Sequence, residues 1–469
     1  MLEKLLNYLD NKNIIILGFG KEGESTYRFL RKHFPEMKLT IADKNTKLLE
    51  NHLELLEDEF VEVVLGEDYL KDLDAFDLII KAPGISLKDI NVEPFVNKIT
   101  SQLELFLEYV DVYSIGITGT KGKSTTSSLM YKVLFDQGKS TFLVGNIGEP
   151  IFNEIEDFKK DSIPVIELSS HALEFVHRST NIAFLIDIYE EHLDHYKSLA
   201  KYVEAKFNVA KYQNDDDYLL YNYDNKLMNE YGFKYKEHDI AVSLDTIPER
   251  ENKVYIKDDF IYFNEDKMMD IHEPMNLKGI HNINNIMFIL GVCKILNLDI
   301  ERAIESIKEF KPLEHRMEFV GNVDGIDFYN DSIATIPEST IDAIEAIGNI
   351  NTIIVGGNDR GIPLVSLIDY LKKSAIENII CLPKTGEYIR DGLEGSNKNV
   401  VFTEELKEAV RISKEVTKKN MVCLLSPAAS SYGYFKNFEE RGKLFKQYVL
   451  KWIYIINMWL TNNICKKIG

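Results

Sequence analysis

The chain has 469 residues, of which 45% are hydrophobic and 28% are charged. These fractions are ordinary for globular proteins and exclude collagen-like and wholly disordered chains. At roughly 150 residues per domain, the length predicts about three domains. The net charge of −20, from 55 basic and 75 acidic residues, argues against general nucleic-acid binding, because a field of that sign repels phosphates. A phosphorylated small substrate would therefore need local lysines, helix N-termini or a metal ion.

The four cysteines, Cys293, Cys381, Cys423 and Cys465, form no C-x-x-C pattern. Their spacing excludes a cysteine-rich zinc module and a disulfide scaffold and favours a reducing cytoplasm. We expect no signal peptide, since charges interrupt the apolar stretch at the N-terminus. The apolar run at 452–460 is about half as long as a membrane-spanning helix. It predicts a terminal helix packed on the last domain without stable membrane insertion, and a peripheral membrane or partner contact is the alternative.

The first part of the chain alternates short apolar runs with segments of helical character. A helix is predicted at Ser25–His33, and the breaker Ala82-Pro83-Gly84 follows the last strand. Since strands that alternate with helices pair in parallel, this part predicts a doubly wound, Rossmann-like sheet. Its strands are predicted at Ile14–Leu17, Leu39–Ala42, Val61–Leu65 and Leu78–Lys81.

The middle part begins with a predicted strand at Val112–Thr118, then a Gly/Thr/Lys/Ser loop and a helix from about Ser124 to Gln137. Small β-strands are expected at 240–272 and a helix from about Asn282 to Leu296. Further middle strands are predicted at Thr141–Val144, Val165–Leu168, Ala183–Ile188 and Tyr218–Tyr221. The last part predicts strands at Phe328–Asp331, Thr352–Val355, Asn378–Cys381, Val400–Phe402 and Met421–Leu425. We therefore expect three α/β domains, at 1–105, 106–311 and 312–450, and a tail at 451–469.

A glycine motif, G-F-G-K-E-G at Gly18–Gly23, lies between a predicted strand and a predicted helix. Asp43 ends the next strand, 20 residues after Gly23. This is a dinucleotide fingerprint, in which glycines allow close backbone approach and the acid accepts a ribose hydroxyl. By itself it favours an NAD(P)-dependent oxidoreductase. Two other interpretations of the motif remain open: a tight first turn that binds no ligand, and a site for a different nucleotide.

A second glycine loop, T-G-T-K-G-K-S-T at 118–125, also lies between a strand and a helix. It departs from the strict Walker spacing because Ile117 stands where that spacing needs glycine. Backbone N–H groups and the helix N-terminus of such a loop hold phosphate oxygens. Lys123 would place its charge on the β- and γ-phosphates, and Ser124 or Thr125 would ligate Mg²⁺. The loop implies ATP and weakens the hydride-transfer interpretation of the first domain.

This variant loop resembles that of the Mur ligase family, and matching segments follow in order over residues 10–448. The last segments look most like the glutamate-adding branch of the family. The matching segments are Gly145–Gly148 (GNIG), Glu167–Ser170 (ELSS), His192–His195 (HLDH), His281-Asn282 with Asn285, His315-Arg316, Asn330–Ser332 (NDS), Gly356–Gly361 (GGNDRG), Leu425–Ser431 and Phe435–Gly442.

The resemblance implies a central P-loop ATPase-type domain between two Rossmann-like domains. It implies an ADP-forming ligase that adds glutamate, with D-glutamate the leading acceptor, to UDP-N-acetylmuramoyl-L-alanine in peptidoglycan precursor synthesis. A substrate carboxylate would attack the γ-phosphate of ATP, and the incoming amine would then attack the acyl phosphate. Cations and positioning should dominate such catalysis because two anions must be held together. ATP and two Mg²⁺ ions would be needed, and a cytoplasmic monomer is expected.

The family's functional positions transfer onto residues of this chain. The catalytic residues would be Lys123, Glu167, His192 and Lys206. ATP would be bound by Gly119, Thr120, Lys121, Gly122, Lys123, Ser124, Thr125, Asn282, Asn285, His315, Arg316 and Asp331. Metal ligands would be Ser124, Thr125, Glu167, His192 and, if carbamylated by CO₂, Lys206. The UDP-substrate would be bound by Gly18, Phe19, Gly20, Asp43, Lys44, Pro83, Gly84 and Asn146, and the amino acid by Thr335, Arg360, Ser431 and Phe438.

Plainer interpretations exist for several of these residues. Without the resemblance, Glu167 is a solvated loop acid, Lys206 a surface lysine on a helix, and each asparagine a helix cap or turn residue. The H-x-x-H spacing of His192 and His195 is also compatible with zinc. No third ligand follows at metalloprotease spacing, which favours the magnesium interpretation.

The chain departs from the glutamate-adding pattern on the acceptor side. Ile333 stands where that branch usually has lysine, and His171-Ala172 where it usually has Phe-Gln. Further departures are Glu191, Ile336, Tyr432 and Gly433. These departures predict an intact ATP site with an altered acceptor pocket. L-glutamate or another amino acid is therefore the alternative acceptor. An oxidoreductase and a non-catalytic nucleotide-binding relative are the alternative classes of protein.

Overall fold

Three β-sheets flanked by helices form the described part of the chain, which is residues 2–189, 193–196, 198–231, 234–236, 238–277, 279–311, 313–359 and 362–450 of a computed structural model. The predicted α/β fold with three sheet-containing domains is confirmed. The first two sheets share one compact unit, residues 1–274 and 283–310, here called the first unit. The third sheet belongs to the second unit, residues 275–282 and 311 onward. The exact domain boundaries stay a prediction.

The first sheet has five parallel strands in the order β3-β2-β1-β4-β5. The four apolar residues of its central strand are all buried, as expected for a parallel sheet with helices on both faces. Its strands are β1 (Ile14–Leu17), β2 (Leu39–Asp43), β3 (Val61–Leu65), β4 (Leu78–Lys81) and β5 (Ile99–Thr100). The accompanying helices are α1 (Glu3–Leu9), α2 (Lys21–His33), α3 (Leu48–Asn51), α4 (Glu54–Glu57) and α5 (Gln102–Tyr109), with 3₁₀ turns at Gly66–Asp68, Leu73–Ala75 and Val96–Lys98.

The second sheet has nine strands in the order β14-β13-β12-β11-β10-β9-β6-β8-β7 and turns antiparallel only from β12 onward. Its parallel strands are β6 (Ile115–Thr118), β7 (Thr141–Gly145), β8 (Ile163–Glu167), β9 (Ile182–Leu185), β10 (Tyr218–Asn222) and β11 (Ile240–Ser243), followed by β12 (Lys253–Lys257), β13 (Phe260–Phe263) and β14 (Asp266–Asp270). The helices are α6 (Lys123–Asp136), α7 (Ile151–Glu154), α8 (Ser170–Leu173), α9 (Leu193–Tyr196), α10 (Leu199–Lys211), α11 (Lys226–Glu230), α12 (Ile280–Ile295) and α13 (Ile300–Glu309). The small strands predicted at 240–272 are therefore confirmed.

The third sheet has six strands in the order β15-β16-β20-β17-β18-β19, and only β15 is antiparallel to its neighbour. Its strands are β15 (Glu318–Val323), β16 (Ile326–Asn330), β17 (Ile350–Gly357), β18 (Asn378–Lys384), β19 (Asn399–Phe402) and β20 (Val422–Leu425). The helices are α14 (Pro337–Ile347), α15 (Val365–Lys373), α16 (Thr385–Gly392), α17 (Leu406–Val416) and a helix at 438–450. Apolar cores lie on both faces of this sheet.

Two strands were absent from the sequence prediction. β5 has two residues, too few for a periodic signal. β15 carries Gly321 and Asn322 within an edge hairpin that contains a register irregularity, so its apolar pattern is interrupted. Among the described residues, no helix is long and apolar enough to cross a membrane.

Candidate active site

The loop at 119–122 joins the end of β6 to the start of α6 and is shaped by a glycine. Gly122 has a φ of +81°, a left-handed conformation that glycine adopts without the Cβ clash of other residues. A Cβ added there would lie 2.7 Å from Oδ1 of Asn285. The loop predicted to bind phosphate thus joins a strand to a helix as expected, and Asn285, predicted to bind ATP, packs directly against it. Asn282, three residues earlier on α12, is also buried.

Residues far along the chain fix the conformation of this loop. The Thr120 amide donates to the carbonyl of Asp187 over 2.6 Å. The Thr120 hydroxyl lies 2.8 Å from the hydroxyl of Tyr202 and accepts from the Tyr189 amide over 3.0 Å. No motif singled out Asp187 or Tyr202, because neither belongs to the local pattern of a glycine loop.

Two lysines meet at one carbonyl oxygen of the loop. Lys123 Nζ donates to Gly119 O over 2.8 Å and to Thr120 O over 3.0 Å. Lys206 Nζ, on α10, donates to the same Gly119 oxygen over 2.7 Å, and its side chain is buried. Two ammonium groups beside the N-terminus of α6 are suited to bind a polyanion. The structure thus brings together the loop and both predicted lysines, and Lys206 is no surface lysine.

Glu167 is the last residue of β8 and lies opposite Ile117 on the neighbouring strand β6. Its side chain is 1% exposed. Oε1 accepts a hydrogen bond of 2.6 Å from the side-chain amide of Asn146. Within the described part of the chain, Oε2 is buried without a hydrogen-bond partner. A buried carboxylate oxygen left unpaired needs a cation or a donor, so Glu167 has the properties of a metal ligand.

A cleft of about 220 Å³ lies in the first unit, between the first and second sheets. Glu167 and Asn146 line it from the second sheet, and Pro83 lines it from the first. The cleft therefore joins part of the predicted UDP-substrate set to the predicted metal ligand. Its remaining lining comprises Lys21, Glu22, Ser101, Leu103, Gly145, Gly148, Pro150, Ile151, Ile166, Leu168, Ser169 and Ala172.

The glycine turn of the first sheet is closed tightly around Asp43. Gly18 has a φ of +91°, and a Cβ on Gly23 would lie 2.0 Å from the Gly18 carbonyl oxygen. The two oxygens of Asp43 accept from the amides of Phe19 and Asn45, each over 2.7 Å. Asp43 thus shapes the turn itself. Phe19 is buried, whereas the other predicted members Gly20, Lys44 and Gly84 are exposed and Pro83 is half-buried.

In the second unit, Asp331 follows β16 and is buried. It accepts from the Ser426 hydroxyl over 2.8 Å and from the Met317 amide over 3.2 Å. Burial raises the pKa of Asp331 to about 7. His315 is also buried, its Nδ1 lies 2.9 Å from the Asn330 amide nitrogen, and burial lowers the pKa of its imidazole. Arg316 adds a positive charge that stabilises the Asp331 carboxylate.

Two of the residues predicted for the amino acid, Ser431 and Phe438, lie near a buried arginine in the second unit. Ser431 lines a small cavity together with Arg441. Phe438 accepts through its carbonyl oxygen from the Ser332 hydroxyl over 2.8 Å. Arg441, which the motif analysis did not assign a role, donates to Ser332 and to the Ala429 carbonyl. Thr335 lies half-buried in the segment that leads from Ser332 to α14.

Several predictions fall on residues outside the described part of the chain. These are the predicted metal ligand His192, the predicted amino-acid ligand Arg360, the departure at Glu191 and the apolar tail. The other histidine of the H-x-x-H spacing, His195, lies 3.1 Å from a carboxylate oxygen of Glu174 through Nε2.

Family models match all three sheet-containing domains. The Mur ligase MurD-like N-terminal domain matches residues 12–101. The Mur ligase middle domain matches residues 117–293, and the Mur ligase glutamate ligase domain matches residues 315–429. These ranges include the glycine turn at Gly18–Gly23, the loop at 119–122, Glu167 and Asp331.

Curated relatives cover nearly the whole chain. UDP-N-acetylmuramoylalanine--D-glutamate ligase of Clostridium tetani is 32% identical, over 94% of this chain and 97% of its own length. The ligase of that name from Clostridium kluyveri is 33% identical over the same shares.

Solved structures share the fold. UDP-N-acetylmuramate-alanine ligase from Thermotoga maritima has a TM-score of 0.59 at 16% identity and covers 93% of this chain and 98% of its own. MurF ligase from the same organism, solved with ADP, has a TM-score of 0.59 at 15% identity, with 96% and 99% covered. On the family models and the curated relatives, the chain belongs to the Mur ligase family.

Proposed function

We propose that this protein is an ATP-dependent, ADP-forming amide ligase that adds D-glutamate to UDP-N-acetylmuramoyl-L-alanine in peptidoglycan precursor synthesis. The placement of Glu167 carries the proposal. This side chain lies opposite Ile117, two residues before the phosphate loop, and it also lines the cleft between the first two sheets. One buried carboxylate thus faces both the place where phosphates bind and the place where the acyl substrate would enter. The curated relatives named for this reaction support the choice.

The chemistry requires a phosphate leaving group. The carboxylate of the acyl substrate attacks the γ-phosphate of ATP, which gives an acyl phosphate and ADP. The amine of the incoming amino acid then attacks the carbonyl carbon, and the tetrahedral intermediate releases phosphate as the amide forms. Lys123 and the backbone N–H groups of the loop hold the phosphoryl oxygens as charge develops on them. Asn146 lines the same cleft and would orient the acyl carbonyl.

Residues of the first unit fit a divalent cation. Glu167 offers a buried oxygen without a partner in the described part of the chain. Thr125 is buried and Ser124 half-buried in the first turn of α6. We assign these groups to a magnesium site, and His192 and a carbamylated Lys206 to a second one. When bound, Mg²⁺ would neutralise charge on the phosphate oxygens of ATP, as the two lysines beside the loop would.

Carbamylation of Lys206 is part of the proposal. Reaction of its amine with CO₂ would replace a cation by a carboxylate, a hard oxygen ligand that suits Mg²⁺. The observation in favour is burial: Lys206 Nζ lies 4.8 Å from the Tyr202 ring centroid and donates to Gly119 O. The neutral amine is the form that reacts with CO₂.

The acceptor pocket lies in the second unit, around Thr335, Ser431 and Phe438, to which we add Arg360. A guanidinium at position 360 would bind a carboxylate of the amino acid through two parallel hydrogen bonds. Ile333 stands where the glutamate-adding branch has lysine, so L-glutamate is the first alternative acceptor.

A panel of acceptors tests the proposal. Purified protein receives ATP, Mg²⁺ and UDP-N-acetylmuramoyl-L-alanine with single D- and L-amino acids, and phosphate release and product mass are measured. We expect turnover with D-glutamate that disappears in Lys123→Ala and persists in Lys132→Ala, a matched variant further along α6. Phosphate release that depends on no amino acid, or turnover with L-glutamate alone, would overturn the D-glutamate assignment.

Two further expectations belong to the same proposal. Family membership argues against the oxidoreductase alternative, and ATP and UDP should raise the melting temperature whereas NADH should not. We also propose that the protein works as a monomer in the cytoplasm. Light scattering of the purified chain tests its oligomeric state.

A further inference from the structure

Three side chains that can bind a metal ion meet beside the first sheet, outside the site described above. Glu24 lies on α2, His52 follows α3, and Glu54 begins α4. Each offers one ligand atom, and the three atoms all lie within 4.8 Å of one another. In the described part of the chain, no other trio of His, Cys, Asp or Glu side chains comes this close.

The imidazole of His52 is held in place and faces a carboxylate. Its Nδ1 lies 3.1 Å from Oε1 of Glu54. Its ring packs edge-on against the ring of Phe19, with the centroids 5.1 Å apart, and only 20% of the side chain is exposed. Because packing fixes the ring beside an oxygen ligand, the pair can share either a proton or a metal ion.

The charges of the trio suit a divalent cation. The two carboxylates together balance the charge of such an ion. In the structure, Arg28 forms an ion pair with Glu24, four residues earlier on α2, and 71% of the arginine side chain is exposed. An ion pair this exposed contributes little to stability, so a metal ion can take the place of the guanidinium group.

Other contacts hold the segment that carries His52 and Glu54 against α2. Asp58, at the end of α4, accepts from Arg31 Nε over 2.7 Å and from the Tyr27 hydroxyl over 2.9 Å. Tyr27 and Arg31 follow Glu24 by three and seven residues, so all three side chains lie on one face of α2. Ligands that are positioned before an ion binds lose less conformational freedom when it does.

We propose that Glu24, His52 and Glu54 bind a divalent transition-metal ion, with Zn²⁺ the best match to these donors, and that the ion fastens α3 and α4 to α2. One imidazole and two carboxylates make a three-ligand zinc site whose fourth position is open to water. Helices of four residues are too short to be stable alone, so α3 and α4 have the most to gain. The inference does not depend on the ligase reaction.

Titration calorimetry with Zn²⁺ tests the site in the full chain. All proteins carry Glu167→Gln, which removes the proposed magnesium ligand and any zinc bound there. We expect His52→Ala to weaken zinc more than about a hundredfold and Glu54→Gln roughly tenfold or more, because losing a ligand should exceed the effect of losing its supporting partner. The control is His33→Ala, on α2, whose Nε2 lies 2.7 Å from Oε1 of Glu156. It should leave the zinc affinity within about twofold.

Two further readouts separate a metal site from a merely structural cluster. Arg28→Gln should tighten zinc up to about fivefold, since it removes the competing cation. Zinc should also slow tryptic cleavage after Lys47, an exposed residue just before α3, and this protection should be lost in His52→Ala.

A protein without Zn²⁺ affinity, or an affinity unchanged in both His52→Ala and Glu54→Gln, would overturn the inference. Weaker binding in Arg28→Gln, an equal loss in His33→Ala, or cleavage that zinc does not slow would also contradict it. Glu54→Gln keeps the test decisive if His52→Ala fails to fold.

Discussion

The side-chain amide of Asn146 donates to Oε1 of Glu167 over 2.6 Å and leaves Oε2 of the same carboxylate buried and unpaired in the described chain. Asn146 follows β7 and Glu167 ends β8, so a contact between two strand ends fixes the direction in which the free oxygen points. A carboxylate held in this way does not need to reorganise when a cation binds, which is the usual role of a residue behind a metal ligand.

Asn146→Ala should therefore weaken Mg²⁺ as well as turnover. We expect the apparent Mg²⁺ affinity and kcat each to fall roughly tenfold to a hundredfold, as for other residues that orient metal ligands. Mg²⁺ titrations of the initial rate at saturating ATP measure both. The control is Asn153→Ala, whose exposed amide hydrogen-bonds to Glu149. If the variant lost kcat at an unchanged Mg²⁺ affinity, the contact with Glu167 would not serve the metal.

Gly122→Ala should damage the phosphate loop beyond its effect on the backbone. A left-handed φ of +81° costs alanine about 1 kcal/mol, and the new Cβ would meet Oδ1 of Asn285 at 2.7 Å. We expect a total loss of stability on the order of 2 kcal/mol and a further loss of ATP affinity.

Gly138→Ala is the matched control for this substitution, because Gly138 has a φ of +74° and open space around its Cβ position. It should show the backbone penalty alone, about 1 kcal/mol, with unchanged ATP affinity. Denaturant unfolding with and without ATP distinguishes the two variants. Equal effects at both glycines would mean that Asn285 does not constrain the loop.

Activity should depend on CO₂ through Lys206. Lys206→Gln removes both the amine and any carbamate, so turnover should fall more than about a hundredfold, the scale of losing a group that stabilises the transition state. Lys211→Gln, at the exposed end of the same helix, should retain activity. Wild-type enzyme depleted of CO₂ should regain activity as bicarbonate is added. Full activity at every bicarbonate concentration would limit Lys206 to its hydrogen bond with Gly119.

The stability of the second unit should fall as pH rises through Asp331's titration. The pKa of this carboxyl is about 7 in the fold, whereas an aspartate in an unfolded chain has a pKa of 3.8, so between these values the native state holds a proton that the unfolded chain has released. The free energy of unfolding then decreases with pH across this window, by up to about 4 kcal/mol.

Asp331→Asn should remove this slope, because a neutral amide does not titrate. Unfolding curves of both proteins from pH 4 to 8 measure it, and the difference in favour of the variant should grow with pH. Asp369→Asn, at an exposed position on α15, should keep the wild-type slope. A constant difference between wild type and Asp331→Asn over this range would contradict the prediction.

The elements nearest to the chemistry were predictable because their signals are local. The strand Ile14–Leu17 with its glycine turn, and the loop before α6, depend on residues within a few positions of one another. The glycine-rich segment that ends in Gly122 and Lys123, between a strand and a helix, is a local sequence signal for a phosphate loop. Glu167 could likewise be placed at a strand end, since β8 is a continuous apolar run.

Contacts across long separations had no such signal. Lys206 meets Gly119 across 87 residues, and Asn146 meets Glu167 across 21. In the sequence, Lys81 is the polar end of an apolar strand. Its burial beside Glu174 and Phe175 is seen only in the tertiary structure.

Local pattern therefore settled the α/β class, the three sheets, the phosphate loop and the family, since backbone conformation and strand burial follow from neighbouring residues. Only the tertiary structure shows which oxygen of Glu167 lacks a partner in the described chain, which lysines face the loop, and that the first two sheets enclose a cleft. The reason is that the packing of strand ends from different parts of the chain depends on the whole set of side chains between them, and this information is spread over the sequence rather than held in any motif.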